Sequence, residues 1–157
     1  MKIILVGKAA AGKDFLKNKL VKKGFNSGIS CTTRPPRHNE VDGVDYHFMT
    51  ENEFKVTLAS GEMLEHMIFN DWYYGLTKTE FEQADVMIMS KDGLDVLPKD
   101  YRDRCMVIYL DPPRITRVER LTYRNDPNDS IVRRMNTDDD QFKDFRDYDL
   151  RIKNEDF

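Results

Sequence analysis

Directly after the apolar run Lys2-Ile3-Ile4-Leu5-Val6 stands Gly7-Lys8-Ala9-Ala10-Ala11-Gly12-Lys13-Asp14, which leads into Phe15-Leu16-Lys17-Asn18-Lys19-Leu20-Val21. The apolar run reads as a buried strand, and the segment from Asp14 opens a helix. Gly-x4-Gly-Lys between a strand and a helix is the spacing of a phosphate-binding P-loop. The two glycines let the backbone turn tightly and bring a row of N–H groups against phosphate oxygens. The helix N-terminus adds partial positive charge, and Lys13 reaches the outer phosphates. Gly7, Lys8, Ala9, Ala10, Ala11, Gly12, Lys13 and Asp14 are therefore the expected cradle for the phosphates of ATP. The eighth position ordinarily carries a Ser or Thr whose hydroxyl holds Mg²⁺. Asp14 stands there instead. A carboxylate coordinates Mg²⁺ or accepts from its waters, yet it also repels triphosphate. Asp14 is the candidate metal ligand, directly or through water. The bland alternative is a glycine-containing turn with a chance lysine.

A chain of 157 residues is expected to form one domain with room for an inserted lobe. Hydrophobic residues make up 39% and charged residues 34%, the balance of a globular protein with a large polar surface. No stretch approaches the roughly 20 apolar residues of a membrane span. The N-terminal apolar run is too short for a signal peptide. Cys31 and Cys105 suggest neither a disulfide framework nor a zinc site, which places the chain in a reducing, cytoplasmic setting. A net charge of −3 argues against a broad nucleic-acid-binding face. Local basic clusters then answer to small anionic ligands or to neighbouring carboxylates.

Ile3–Val6, Val86–Met89 and Met106–Leu110 have the look of parallel core strands alternating with helices, which predicts an α/β layered fold. Residues 28–84 read as an inserted α+β lobe between core segments 1–27 and 85–157. In it Tyr46–Phe48 and Met63–Phe69 are strand candidates, and Glu51–Ser60 is helical behind a Thr50/Glu53 capping box. After Pro112-Pro113 come an Arg-rich helix from about Ile115 to Tyr123, the polar break 125–129, and a second helix from near Ser130 to about Arg146. Residues Tyr148–Lys153 form a weak strand candidate.

The block Ser30-Cys31-Thr32-Thr33-Arg34-Pro35-Pro36-Arg37 places two arginines three apart beside two prolines. Stiffened in this way, their guanidinium forks suit bidentate contact with a phosphate dianion. Tyr46 and Tyr74 add hydroxyl donors. The alternative is a surface turn whose arginines pair with Glu40, Asp42 and Asp45.

With Phe69 and Tyr73-Tyr74-Gly75 downstream, the stretch Ser30–Phe48 resembles the guanylate kinases, and the resemblance runs from Ile3 to about Asn154. It implies a P-loop kinase core with a monophosphate-binding lobe and an Arg-bearing lid at about 122–132. The implied reaction moves the γ-phosphoryl of ATP to GMP or dGMP with Mg²⁺. It implies nucleotides as the partners, with no obligate protein partner, no nucleic acid and no membrane, and a cytoplasmic location (the host's, for a viral source). By resemblance Arg34, Arg37, Tyr46 and Tyr74 hold the GMP phosphate, and Ser30 and Glu65 contact guanine. A carboxylate at Glu65 can accept both the N1–H and the 2-amino group, a donor pair that adenine lacks. Arg114, Arg117, Arg120 and Arg124 recur every three or four residues, near one helical face. Phosphoryl transfer needs positive charge on the moving group and exclusion of water. By resemblance Arg124 is the lid arginine and Arg134 meets the transferring phosphoryl, so Lys13, Arg124 and Arg134 are the catalytic candidates. Arg114, Arg117 and Arg133 are expected to be solvated or paired with Asp111, Glu119 and neighbours. Asp138-Asp139-Asp140 is expected to be solvated, and Phe69 and Trp72 to pack within the lobe.

The chain also departs from the pattern. Leu76 follows Tyr73-Tyr74-Gly75 where the family has Ser or Thr, and Thr77, one place later, is the candidate for that GMP contact by resemblance. The third family feature, a strand ending in two acidic residues, is here Val86–Ser90-Lys91, with Ser90 the nearest replacement for a guanine-contacting carboxylate. A closing helix expected after Lys153 is not represented in the sequence. Two other readings stay open: a P-loop kinase for another phosphorylated acceptor, such as a different nucleotide or a sugar phosphate, and a non-catalytic guanylate-kinase-like module that binds protein ligands.

Overall fold

A computed structural model describes residues 1–124 and 130–154. In chain order its first elements are β1 (Lys2–Gly7), α1 (Lys13–Val21), β2 (Cys31–Thr32), β3 (His47–Phe48), α2 (Glu51–Ala59), β4 (Met63–Phe69) and β5 (Trp72–Thr77). They are followed by α3 (Lys78–Gln83), β6 (Val86–Ile88), α4 (Lys91–Asp95), α5 (Lys99–Arg102), β7 (Cys105–Leu110), α6 (Arg114–Arg124), α7 (Ile131–Phe142) and β8 (Leu150–Ile152).

The near-continuous apolar runs of β1, β6 and β7 pair in parallel, as strands buried on both faces do. With β8 at the edge they make one sheet in the order β6-β1-β7-β8. Leu5, Val86, Ile108 and Leu110 meet Leu16 and Leu20 of α1 on one face. Ile4, Val6, Met87, Val107 and Tyr109 meet Phe81, Phe142 and Phe145 on the other. Because the chain steps from β1 to β6 on one side and to β7 on the other, the carboxyl end of β1 is a topological switch point. Ligand crevices form at such points.

The second sheet, in the order β3-β2-β5-β4, is built from chain lying between β1 and β6. Its floor is α2, whose Phe54 is fully buried against Cys31, Met63 and Tyr73. The capping box is present: Thr50 Oγ1 accepts from Glu53 N–H at 3.2 Å, and the Glu53 carboxylate accepts from Thr50 N–H at 2.7 Å. The β4–β5 hairpin turns at Asn70 and Asp71, with φ of 49° and 63°, the left-handed pair that a tight hairpin requires. Phe69 and Trp72, expected to pack inside, flank that turn and stay 37% and 39% exposed on the cleft rim. Cross-strand pairing puts them at the hairpin tip, beyond the reach of α2.

The second Arg-containing helix ends at Phe142 rather than near Arg146. Phe142 stacks on Tyr109 at 5.5 Å and Phe145 meets the same ring edge-on at 5.2 Å, so the chain leaves the helical path to bury both. The polar break at 125–129, the middle of the expected lid, lies outside the described residues.

Phe54→Ala should cost about 3–5 kcal/mol by opening a cavity under the second sheet. Urea denaturation measures the loss. A change below about 1 kcal/mol would mean that α2 is not the floor of that sheet.

Candidate active site

β1 brings Gly7 into register with Leu110 of β7, and a Cβ on Gly7 would lie 2.5 Å from the Leu110 carbonyl oxygen. No larger residue fits there without moving a strand. The loop then passes through left-handed backbone at Ala10 (φ 58°) and Gly12 (φ 97°). Gly12 caps α1 without a side chain, so the first-turn N–H groups of that helix face the cleft uncapped. Lys13 folds back along the loop and donates to the carbonyls of Gly7 at 2.6 Å and Lys8 at 2.9 Å. Burial pushes its ammonium down to about 8, against the pull of Asp14 and Asp138, and the charges of Arg134 and Arg124 push it further down. Both catalytic arginine candidates thus act on Lys13, and both line the same cleft. Asp14 stands in the first turn of α1 with its side chain 74% exposed and 3.6 Å from Lys17 Nζ.

Of the acidic triplet Asp140 is exposed, as expected, but Asp138 and Asp139 turn to the loop. Asp138 accepts from the Ala9 N–H at 2.7 Å, and Asp139 accepts from Lys8 Nζ at 2.6 Å. Arg117, expected to be solvated or paired with Asp111, Glu119 and neighbours, is 1% exposed and donates to Asp139 at 3.0 Å, with Asp138 at 3.5 Å. Arg114 Nε also donates to Asp139, at 3.1 Å. Asp111 pairs with Arg151 instead of the α6 arginines. Desolvation works against the Asp139 anion, but hydrogen bonds from Lys8 and Arg114 hold its carboxyl below the usual range. Arg120 Nη1 donates to the Ala10 carbonyl at 3.1 Å and so ties α6 to the loop.

Across the cleft, Arg34 Nη2 donates to Glu40 at 2.9 Å, and its guanidinium lies over the Tyr46 ring at 5.5 Å. The same Glu40 carboxylate accepts from the Arg37 N–H at 2.8 Å. Tyr46 and Tyr74 meet edge-on at 6.2 Å. Further along, Glu65 of β4 is 8% exposed. Burial pushes its carboxyl up to about 7, although the Leu76 N–H draws it down. It seats against Gly93, where a Cβ would lie 2.5 Å from Glu65 Oε2 and 3.1 Å from Ser90 Oγ. Ser90 Oγ caps α4 by accepting from the Gly93 N–H at 3.0 Å.

Loop residues Gly7 and Ala9 to Asp14, together with Ser30, Arg34, Arg37, Tyr46, Glu65, Tyr74, Ser90, Arg124 and Arg134, all line one cleft of about 2740 Å³. That exceeds the roughly 300–1,000 Å³ of an ordinary single-ligand pocket, and is room for two nucleotides. Lys8 turns away to Asp139. Thr77 is also off the cleft wall: it caps α3, its hydroxyl accepting from the Glu80 N–H at 3.2 Å. Leu76, one place earlier, is 1% exposed and packs in the core. Sequence reasoning missed Asp138, Asp139, Arg117 and Arg120 as neighbours of the loop. The available signal was spacing: Asp138 follows Arg134 by four residues, on the same helical face.

The family model described as guanylate kinase matches residues 1–157. A guanylate kinase of Helicobacter pylori is 34% identical over 98% of this chain and 79% of its own length. One from a Ruegeria species is 36% identical over 98% of this chain and 76% of its own length. A crystal structure of guanylate kinase from Anaplasma phagocytophilum superposes with a TM-score of 0.73 at 23% identity, covering 99% of this chain and 77% of that one, a likeness of fold.

The raised Glu65 carboxyl has a stability consequence. The folded chain holds this proton to about pH 7, whereas the unfolded one loses it near 4.5, so stability falls as pH rises between those values. Without nucleotide, wild type should lose about 2 kcal/mol relative to Glu65→Gln between about pH 5 and pH 8 in urea unfolding. An equal gap between the two chains at both pH values would mean that Glu65 ionises normally.

Proposed function

The chain belongs to the guanylate kinase family, and from that premise we propose that its cleft seats ATP on the Gly7–Asp14 loop and GMP or dGMP on the Arg34–Glu65 wall, the γ-phosphoryl passing in line between them. The observation that carries this reading is the shared cleft. The loop with Lys13 and the pair Arg34/Arg37 with Tyr46 and Tyr74 face one space.

Lys13 is held by backbone carbonyls. A triphosphate offers it full negative charge, which restores the ammonium that burial and two nearby arginines disfavour. Arg124 and Arg134 supply the remaining charge to the transferring group, where preorganised donors matter most. At the acceptor end a phosphate dianion displaces Glu40 from the Arg34 Nη2 and gains the bidentate fork that the single Arg34–Glu40 contact leaves unused. Glu65, ionised, accepts from N1–H and the 2-amino group of guanine, with Ser30 and Ser90 beside it. The Thr77 hydroxyl already accepts from the Glu80 N–H, which favours Glu65 and the serines over Thr77 for contact with the base.

Asp14 fits Mg²⁺. It offers an exposed carboxylate at the loop exit, and Mg²⁺ needs only one or two carboxylates besides phosphates and waters. When bound, the ion neutralises charge on the nucleotide phosphates. Asp14 then holds it directly or through water. The monophosphate lobe spans about 28–84, the core 1–27 and 85–157, and the lid about 122–132, of which 125–129 lies outside the described residues. Closing the lid excludes water from the reacting phosphates. The enzyme acts in the cytoplasm with nucleotides as its partners. Among the described residues no helix is long and apolar enough to cross a membrane.

A coupled ADP-release assay with ATP, Mg²⁺ and a panel of nucleoside monophosphates should show turnover with GMP or dGMP. Lys13→Ala should reduce kcat about a hundredfold or more. Turnover confined to another acceptor would give the acceptor wall to that molecule instead of guanine; no turnover and no ATP binding would leave a protein-binding module.

Asp14→Ser should keep turnover and shift the Mg²⁺ optimum. An unchanged metal titration would remove Asp14 from the ion's surroundings.

A further inference from the structure

The acidic turn of α7 has no role in the reaction derived above, yet it sits on the donor loop. Asp139 is anchored by three cations, Lys8 at 2.6 Å, Arg117 at 3.0 Å and Arg114 at 3.1 Å. Asp138 is held less firmly. It accepts the Ala9 N–H at 2.7 Å, and its contact with Arg117 stretches to 3.5 Å. Beneath both lies Arg117, whose buried Nε has no hydrogen-bond partner.

Position along the loop gives this contact its meaning. The α/β end of a bound triphosphate lies toward the helix N-terminus, and the P-loop lysine marks the β/γ end. Lys13 Nζ rests on the carbonyls of Gly7 and Lys8, so the β/γ end is at the start of the loop, next to Ala9. Asp138 therefore sets a carboxylate, hydrogen-bonded to a loop N–H, where a terminal phosphoryl oxygen would come. Its charge also supports the Lys13 ammonium, as a phosphate would. Two anions cannot share that place.

We propose that Asp138 is an internal stand-in for the γ-phosphoryl group, holding the Ala9 N–H in the empty enzyme and giving it up when ATP, but not ADP, fills the loop. Arg134 lies one turn earlier on the same face of α7, so release of Asp138 repositions this arginine only in the triphosphate state. Asp139, anchored to Lys8 and the α6 arginines, remains the pivot. The inference rests on the donor-site reading of the loop, and ADP binding by wild type tests that reading separately.

Calorimetric titration of Asp138→Asn and wild type with ADP and with a non-hydrolysable imido analogue of ATP, in Mg²⁺ and again in EDTA, decides the matter. Asparagine keeps the acceptor and the size and removes the charge. The analogue should bind about tenfold tighter to Asp138→Asn in both media, while ADP changes less than about twofold. Equal changes for the two nucleotides, no change, or weaker analogue binding would overturn the proposal. A gain that vanishes in EDTA would assign Asp138 to the metal and overturn it as well. Should the variant not fold, the wild-type Ala9 amide resonance gives the answer: the analogue should shift it far more than ADP does, and equal shifts would refute displacement.

Discussion

The backbone contact between Gly7 and Leu110 is the constraint on which the site depends. At 2.5 Å from a carbonyl oxygen there is no room for a Cβ, so β1 and β7 stay in register to their last residues and end together. From that shared end one strand opens into the phosphate loop and the other turns through Asp111-Pro112-Pro113 into α6. The arginines of α6 then lie over the loop with no intervening element: Arg120 takes the Ala10 carbonyl, and Arg117 reaches the carboxylates that hold Ala9 and Lys8. The loop's shape and its charge environment thus follow from the same strand pairing.

The basic groups of the cleft are matched by the chain's own carboxylates. On the donor side Asp138 and Asp139 sit among Lys8, Arg114 and Arg117. On the acceptor side Glu40 accepts from Arg34 and from the Arg37 backbone. Arg117 shows what such an arrangement costs and gains. A guanidinium at 1% exposure would be intolerable unpaired, and burying it with two carboxylates adds little net stability compared with apolar packing. What it fixes is geometry: the pairs among Lys8, Arg114, Arg117, Asp138 and Asp139 tie α6, α7 and the loop to one another.

Much of this was legible where the determinants are local. The Gly-x4-Gly-Lys loop, the three apolar core strands and the Thr50/Glu53 box each declare themselves within a few residues, and each is where the sequence puts it. β2 is two residues long, too short to show a period, and β5 hides in an aromatic run that reads as a binding motif. Phe69 and Trp72 were misread because apolar composition says nothing of whether a hairpin tip has anything to pack against. The Asp138–Ala9 and Arg117–Asp139 contacts were illegible for a different reason. A run of charges looks alike whether water or a distant loop faces it, and only the crossing of α6 and α7 over β1 decides between them.

The two ends of the cleft differ in how much chemistry each can lose. On one side the cleft is lined by loop residues, Lys13 and several arginines, so no single group dominates its charge. The other side, by contrast, has a buried carboxylate, Glu65. Leu76 is drawn into the core, and the Ser90 hydroxyl is committed to capping α4. Glu65 in turn keeps its place because position 93 has no side chain. Buried without an ion-pair partner among the described residues, this carboxyl stands near neutrality between two chemical characters: an acceptor of two hydrogen bonds when ionised, a donor when protonated. A base that presents two adjacent N–H donors selects the first state and offsets the desolvation that raised the pKa, whereas one that presents an acceptor selects the second. What this end of the cleft offers a ligand is therefore tied to protonation of Glu65.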